Sequence, residues 1–313
     1  MEVCNTSISN LERIMNREQE FLLETSSLII VPQSFYHTFY KARLYKEMDY
    51  KHLDNAKKKI RMALKLLNLH NVKIIKSTVD ELYNFSKILS EKAKYLNGLE
   101  KNLNLRVKYR RKLSESSYNK KIFNDFCFLA NELVKEAKRK IYNPKSKERY
   151  SALVEIIEIL TEKGSMKKSF KIPNWYEKKI YRRIYEDLHT DEKFVAALID
   201  SAFGEPLVGI SCDGDVRKIF KVCCDLITSK DLWPYNEPLI KILQKNPITL
   251  YCYSFNLRKW QTFTAGNYNK PFMIYSLSEQ ESQKVKEEII KILKEVFLVR
   301  NFHEETYCIT NQT

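Results

Sequence analysis

The chain has 313 residues and a formal net charge of +15, and 30% of its residues are charged while 12% are aromatic. This composition excludes disordered and collagen-like chains and indicates a globular protein that attracts polyanions such as nucleic acid. The glycine-rich motifs GxGxxG and GxxxxGK[ST] do not occur, which argues against a nucleotide cofactor. No CxxC pair, secretory signal or long apolar run is present, so we expect reduced thiols, no membrane contact and a cytoplasmic location.

The first part of the chain alternates between helical and extended patterns. We predict a helix, a strand, a helix and a strand in turn, over 11–23, 28–31, 53–67 and 72–75. Ser77 or Thr78 is then expected to cap a further helix, with Glu81 in its first turn. This order is typical of an α/β fold with parallel strands.

A long basic and helical block follows. Residues 83–183 are predicted to be helical nearly throughout, with breaks at 143–144, 164 and 172–174. The overlapping segment 41–147 contains 28 Lys and Arg residues against 11 Asp and Glu residues. We predict that its densest part contacts RNA, through Arg106, Lys108, Tyr109, Arg110, Arg111 and Lys112. The alternatives are a solvated helical surface and an arm that binds a partner helix, although no sustained heptad supports the arm.

Acidic residues in the second half lie beside a predicted central strand. Thr190 is expected to cap an apolar helix with Asp191 in its first turn, and a strand over 207–211 leads to Asp213 and Asp215. Carboxylates at the end of such a strand lie where open α/β sheets bind ligands. The other interpretations are a simple helix cap at Asp191 and an ordinary turn around Asp213. The chain is predicted to end with a strand over 247–253, a second over 271–275 and a helix over 278–297.

Four segments together resemble the PIN-domain ribonucleases. The first strand and its turn match at 29–35, and the second strand with its ExL-type helix start matches at 72–82. The third acidic motif matches at 191–197, and the strand end of the form hydrophobic-[ST]-x-D-x-D matches at 210–215. The resemblance implies a PIN-like three-layer sandwich with a mainly parallel central sheet. It divides the chain into two parts of that domain, 1–83 and 185–313, around a basic helical insertion over 84–184.

The resemblance also implies a site. Asp191, Asp213 and Glu81 would bind Mg²⁺ or Mn²⁺, and Asp215 would complete the catalytic group. One departure concerns the first strand, which in the family ends in Asp, whereas Pro32 or Gln33 occupies the matching position here.

Glu24 is the nearest acid and marks an alternative alignment with the first strand placed earlier. Two functions therefore stay open. One is a metal-dependent endoribonuclease, and the other is a catalytically impaired PIN-like protein that binds RNA or a ribonucleoprotein partner. A toxin-like or defence protein that binds a protein partner is a third alternative.

Overall fold

The fold is described from a computed structural model of the chain, which covers residues 15, 19–28, 42–104, 117–162, 182–185, 188–254, 259–265 and 279–298. The strands are β1 (Phe21–Leu23), β2 (Val72–Ile74), β3 (Val208–Ser211), β4 (Thr249–Ser254) and β5 (Lys259–Thr264). The helices are α1 (Thr25–Leu28), α2 (Tyr50–Leu67), α3 (Lys76–Asn104), α4 (Ser117–Arg139), α5 (Lys147–Glu162), α6 (Thr190–Ser201), α7 (Gly214–Ile227), α8 (Glu237–Lys245) and α9 (Glu279–Leu293). Short 3-10 turns occur at Tyr45–Glu47 and Lys230–Leu232, and a π-helical turn occurs at Lys294–Leu298.

The five strands form one sheet in the order β2-β1-β3-β4-β5. Strands β1 to β4 run parallel to one another, and the edge strand β5 pairs antiparallel with β4. Helices cover both faces, as a parallel sheet requires because each of its faces must be buried. The predicted α/β sandwich with a mainly parallel sheet is therefore confirmed.

The alternation of side chains along β1 separates the two cores. Phe21 and Leu23 belong to the core formed with α2, α3 and α4, whereas Leu22 belongs to the core on the opposite face. Helices α5 to α9 contribute to this second core. All three β1 side chains are buried, so this short strand lies between the two helical layers at the centre of the protein.

The segment predicted as a helical insertion contributes to both layers. Its helix α4 packs against α2 and α3 on one face, and α5 packs against α6 on the other. Between them the chain crosses the outer edge of β2, where Ile74 N donates to Lys140 O at 2.8 Å and Tyr142 N donates to Ile74 O at 2.7 Å. This crossing covers an edge that would otherwise expose unpaired backbone groups. The three-part division of the chain stays a prediction.

The position predicted for the first strand is wrong. Leu28 is the last residue of α1, residues 29–31 lie outside the described part of the chain, and the first strand is Phe21–Leu23. The helical prediction over 11–23 therefore fails at its end. A three-residue strand is too short to show alternation, so its Phe-Leu-Leu sequence read as the end of a helix.

Two predicted helix starts also change. Helix α3 begins at Lys76, so Ser77 and Thr78 lie within the helix and Glu81 lies in its second turn. Helix α6 begins at Thr190 itself, preceded by His189 with a left-handed φ of 46°. The ends of a helix are its least regular part, and both predicted starts lie slightly after the observed ones.

Other predicted elements are confirmed near their expected bounds. They are the helix over 53–67, the strands over 72–75, 207–211 and 247–253, and most of the final helix. Strand β5 was not predicted, and the strand predicted over 271–275 lies outside the described residues. None of the described helices has both the length and the apolar character needed to cross a lipid bilayer.

Helix α6 approaches β3 closely because residue 209 has no side chain. A Cβ atom added at Gly209 would lie 2.6 Å from Cδ1 of Leu198 and 3.1 Å from Cδ1 of Leu250. Both neighbours are fully buried, so neither can move without disturbing the core. Gly209 therefore sets the distance between the central sheet and the helix that contains Asp191.

Replacing Gly209 with Ala should lower the free energy of unfolding by about 1–3 kcal/mol, because the added methyl group overpacks this contact. Urea unfolding followed by circular dichroism measures the change. The matched control is Gly98→Ala in α3, where no atom lies within 4 Å of the added Cβ. This control should be neutral or stabilising by up to about 1 kcal/mol. Equal stability of the two variants would contradict the close packing.

Candidate functional site

Acidic residues from three consecutive strands meet at the carboxyl edge of the sheet. Glu24 directly follows β1, and Asp213 lies two residues beyond the end of β3. Helix α3 leaves the end of β2 and contains Glu81. Leu23, the last residue of β1, pairs with Ile74 at the end of β2 and with Ile210, one residue before the end of β3. The three strands therefore end within one residue of the same level.

The carboxyl group of Glu24 is held by hydroxyl and amide donors. Its side chain is only 3% exposed. Ser26 N donates to Oε1 at 2.9 Å, while the hydroxyl groups of Ser26 and Ser211 both contact Oε2, the latter at 3.1 Å. A buried carboxyl needs such partners because removal from water is costly.

The same two serines connect the end of β1 to the end of β3. Cys212 N donates to Ser26 Oγ at 2.9 Å, and Asp213 N donates to Ser211 Oγ at 2.9 Å. In addition, Glu24 N donates to the carbonyl of Ile210 at 3.1 Å. These bonds fix the backbone on both sides of the acidic group, so Glu24 and Asp213 are held in a defined relation.

Burial, and then the negative charge of Asp213, raises the pKa of Glu24 to about 8. The charge of Glu81 acts in the same direction, whereas the hydrogen bonds from Ser26 oppose it. Glu81 is itself only 3% exposed. Asp213 and Glu81 therefore each lie close enough to Glu24 to interact with it electrostatically.

Asp213 and Asp215 have different surroundings. Asp213 caps α7, with its Oδ1 accepting a bond from Asp215 N at 2.8 Å. Its carbonyl also accepts a bond from the thiol of Cys252 at 3.3 Å. Asp215 pairs with Lys218, whose Nζ lies 2.8 Å from Oδ1. The interpretation of residues 213–215 as a turn from strand to helix is thus confirmed, and Asp213 also interacts with Glu24.

Asp191 lies where the sequence placed it, half-buried in the first turn of α6. Because α6 precedes the parallel strand β3, its first turn lies toward the carboxyl edge of the sheet. Asp191 is not among the charges that raise the pKa of Glu24. Its neighbour Glu192 is buried, and the negative charge of Glu192 contributes to raising the pKa of Cys223. The role predicted for Asp191 stays a prediction.

The basic group predicted to contact RNA lies outside the described residues. These residues are Arg106, Lys108, Tyr109, Arg110, Arg111 and Lys112. They fall between the end of α3 and the start of α4, which are both described. The nucleic-acid contact predicted for them stays a prediction.

The donor atoms at the edge fit a hard divalent cation better than a softer metal. Glu24, Asp213 and Glu81 offer only carboxylate oxygens, the ligands that Mg²⁺ and Mn²⁺ prefer. Within the described part of the chain, no three His, Cys, Asp or Glu side chains are grouped so that they could hold a metal ion. Mg²⁺ is commonly bound through only one or two carboxylates and several waters.

Comparison with protein-family models, curated proteins and solved structures finds no match to this chain.

Replacing Glu24 with Gln should reduce the pH dependence of stability. The folded chain holds the Glu24 proton up to about pH 8, whereas an unfolded chain releases it near pH ~4.3. The folded state therefore binds more protons between these values, and its stability falls as pH rises through this window. The loss amounts to a few kcal/mol, at about 1.4 kcal/mol per pKa unit.

Thermal unfolding between pH 5 and pH 9 tests this prediction. The melting temperature of Glu24→Gln should rise relative to that of the native chain as the pH increases. The control is Glu155→Gln, which removes an exposed carboxyl on α5 and should reproduce the native profile. Parallel profiles for the native chain and Glu24→Gln would contradict the raised pKa.

Proposed function

We propose that the protein is a PIN-like nuclease that hydrolyses RNA phosphodiesters with Mg²⁺ or Mn²⁺ at the edge formed by Glu24, Glu81 and Asp213. The observation on which this rests is the convergence of these acids, with a buried Glu24 whose pKa is raised to about 8. Strongly perturbed carboxyls at a sheet edge are typical of functional sites, because stability alone does not favour mutual repulsion. The high net positive charge supports a polyanionic substrate.

The order of the acids along the chain supports the PIN-like assignment. Glu24 follows β1, and Glu81 lies in the helix after β2. Asp191 lies in the first turn of the helix before β3, and Asp213 follows β3. With β1 at its observed position, an acid stands where the family has its first-strand Asp. That acid is a Glu, whose side chain is one methylene longer than that of Asp.

The residues divide the chemical tasks. Glu24 and Asp213 would bind the cation, and Ser26 and Ser211 hold Glu24 in position through the bonds described above. Glu81 would accept a proton from the attacking water. The cation, when bound, supplies positive charge to the phosphate and lowers the pKa of water. Asp191 and Asp215 remain proposed members of the group, although Lys218 already balances the charge of Asp215.

A second function is an RNA-binding protein that does not cut. The raised pKa of Glu24 also favours this function, because a carboxyl with a pKa of about 8 is mostly protonated at neutral pH. Its oxygens are also already engaged by Ser26 and Ser211. Such a protein would bind RNA, or a ribonucleoprotein partner, through its basic helices with strong salt dependence and without cleavage.

Cleavage of labelled single-stranded RNA with Mn²⁺ distinguishes the two functions. Glu24→Gln and Asp213→Asn should each lower the rate by on the order of 100-fold or more, because each removes charge that binds the cation. Asp191→Asn and Asp215→Asn measure whether these two residues belong to the site. Glu155→Gln on α5 is the control and should keep the native rate.

Two results would decide against the nuclease. Cleavage that is unchanged in both Glu24→Gln and Asp213→Asn would mean that the activity arises elsewhere, for instance from a contaminating enzyme. RNA binding without cleavage by the native chain, across Mg²⁺ and Mn²⁺ and from pH 6 to pH 9, would favour the binding protein.

Cation binding should depend on pH, because the cation competes with the Glu24 proton. We expect Mn²⁺ to raise the melting temperature more at pH 8.5 than at pH 6, since below pH 8 the proton must first be displaced. Glu24→Gln should abolish the difference between the two pH values. A pH-independent shift that survives in this variant would show that Mn²⁺ binds at another place.

A further inference from the structure

Helices α3 and α4 lie side by side in opposite directions. Ser86 Oγ donates to Asn131 Oδ1 at 2.7 Å, and the Cys127 thiol donates to the carbonyl of Leu89 at 3.8 Å. The partner numbers fall along α4 as they rise along α3, which shows that the helices are antiparallel. Their outward sides therefore form one continuous surface.

Four lysines and Tyr83 form a stripe along the outward side of α3, where Glu91 and Tyr95 are exposed as well. The residues follow one another at intervals of 7, 4, 7 and 7, and all are exposed: Lys76, Tyr83, Lys87, Lys94 and Lys101. Such intervals return to the same side of a helix, so these side chains form a single stripe. The stripe extends about 37 Å along the axis, at ~1.5 Å per residue.

The outward side of α4 continues the same surface. Its exposed residues recur at intervals of 3 or 4, at Lys121, Asn124, Phe128, Asn131, Lys135 and Lys138. Lys138 Nζ lies 5.9 Å from the centre of the Tyr83 ring, so the two stripes meet there. We refer to these two stripes together as the α3–α4 face.

Lysines outnumber acids on the α3–α4 face, although the charge of Glu91 interacts with Lys87 and Lys94. Lys87, Lys94, Lys101 and Lys121 make no ion pair within 4 Å with a carboxylate of the described residues. Five acids of the two helices form ion pairs, which are Glu91 with Arg183, Glu100 with Lys120, Asp125 with Lys57, Glu132 with Lys135, and Glu136 with Arg139. The excess of lysines over acids on this face favours an anionic ligand.

Two aromatic rings on this face are exposed among the cations. Tyr83 is 51% exposed and Phe128 is 62% exposed. Rings of this kind stack with unpaired bases whatever the sequence, whereas the bases of a duplex are already stacked on one another. Rows of lysine that contact phosphates, interrupted by rings that contact bases, are typical of a single-strand binding surface.

The face begins beside the acidic edge. Tyr83 is two residues from Glu81, which places the two residues about 3 Å apart along the axis of α3. Glu81 is buried and interacts with Glu24, whereas Tyr83 points outward. A strand bound along α3 would therefore end at the carboxyl edge of the sheet.

We infer that the α3–α4 face binds single-stranded nucleic acid, with its phosphates on the lysines and its bases on Tyr83 and Phe128, and directs it toward the acidic edge. The direction of the strand rests on the proposed function, but the binding itself does not. RNA and DNA share the phosphates and bases that this face would contact, so both are included in the test.

The test is fluorescence anisotropy with 20-nucleotide poly-U RNA, oligo-dT DNA and a duplex of equal length, with EDTA present so that no cleavage occurs. Lys87→Gln combined with Lys94→Gln should weaken single-strand binding roughly 10-fold and reduce the slope of log K against log salt by about 1.4. Tyr83→Ala combined with Phe128→Ala should weaken it about 5- to 100-fold and leave the salt slope unchanged.

The matched control is Lys245→Gln combined with Lys284→Gln, which removes two exposed lysines from α8 and α9 on the other layer. It should keep the native affinity and salt slope. Circular dichroism and thermal unfolding confirm that each variant is folded. Loss of RNA cleavage in Glu24→Gln with normal binding would leave this inference intact, because it concerns the acidic edge alone.

Three results would overturn the inference. The first is unchanged affinity in the Lys87 and Lys94 variant. The second is a duplex bound as tightly as the single strands, with no effect of the aromatic substitutions. The third is no binding of any of the three probes by the folded native chain, which would favour an acidic protein as the ligand of this face.

Discussion

The buried carboxyl of Glu24 is the feature on which the rest of the carboxyl edge depends. It lies directly after β1, where it contacts Ser26 in α1 and Ser211 at the end of β3. Ser26 and Ser211 also bind the backbone of Cys212 and Asp213, so one group organises the ends of two strands. Burial alone would not require an ionisable group at this position, and an apolar residue would cost less free energy.

The grouping of Glu24, Glu81 and Asp213 lowers the stability of the folded chain but suits the binding of a cation. Glu24 is buried beside the charges of Asp213 and Glu81, and its raised pKa means that the folded chain loses stability as pH rises. A divalent cation would reverse this effect, because it replaces repulsion with attraction at the same oxygens. Proteins retain such strained groups where a ligand or a reaction uses them, and this is the physical basis of the proposed nuclease.

Helix α3 joins the two proposed activities in one element. Its inward side presents Glu81 to the acidic edge, and its outward side presents Tyr83 and a row of lysines to solvent. Because a helix is stiff over this length, the position of the outer surface relative to the acids is fixed by the packing of α3 on α1, α4 and α6. A bound nucleic acid would therefore contact the α3–α4 face and the acidic edge, which are held at a fixed distance from each other.

The sequence by itself determined the alternation of strands and helices, the position of β2, β3 and β4, and the local concentration of positive charge. These features follow from periodicity and composition, which are local properties of the chain. It also placed Glu81 and Asp213 after two strands of the same parallel sheet. The sequence left two alignments of the first strand open, and the tertiary structure decided for the earlier one, Phe21–Leu23, with Glu24 as the acid that follows it. Three apolar residues have no distinctive period, and only pairing with β2 and β3 makes them a strand. The raised pKa of Glu24 likewise arises from residues distant along the chain, whose approach no local pattern encodes.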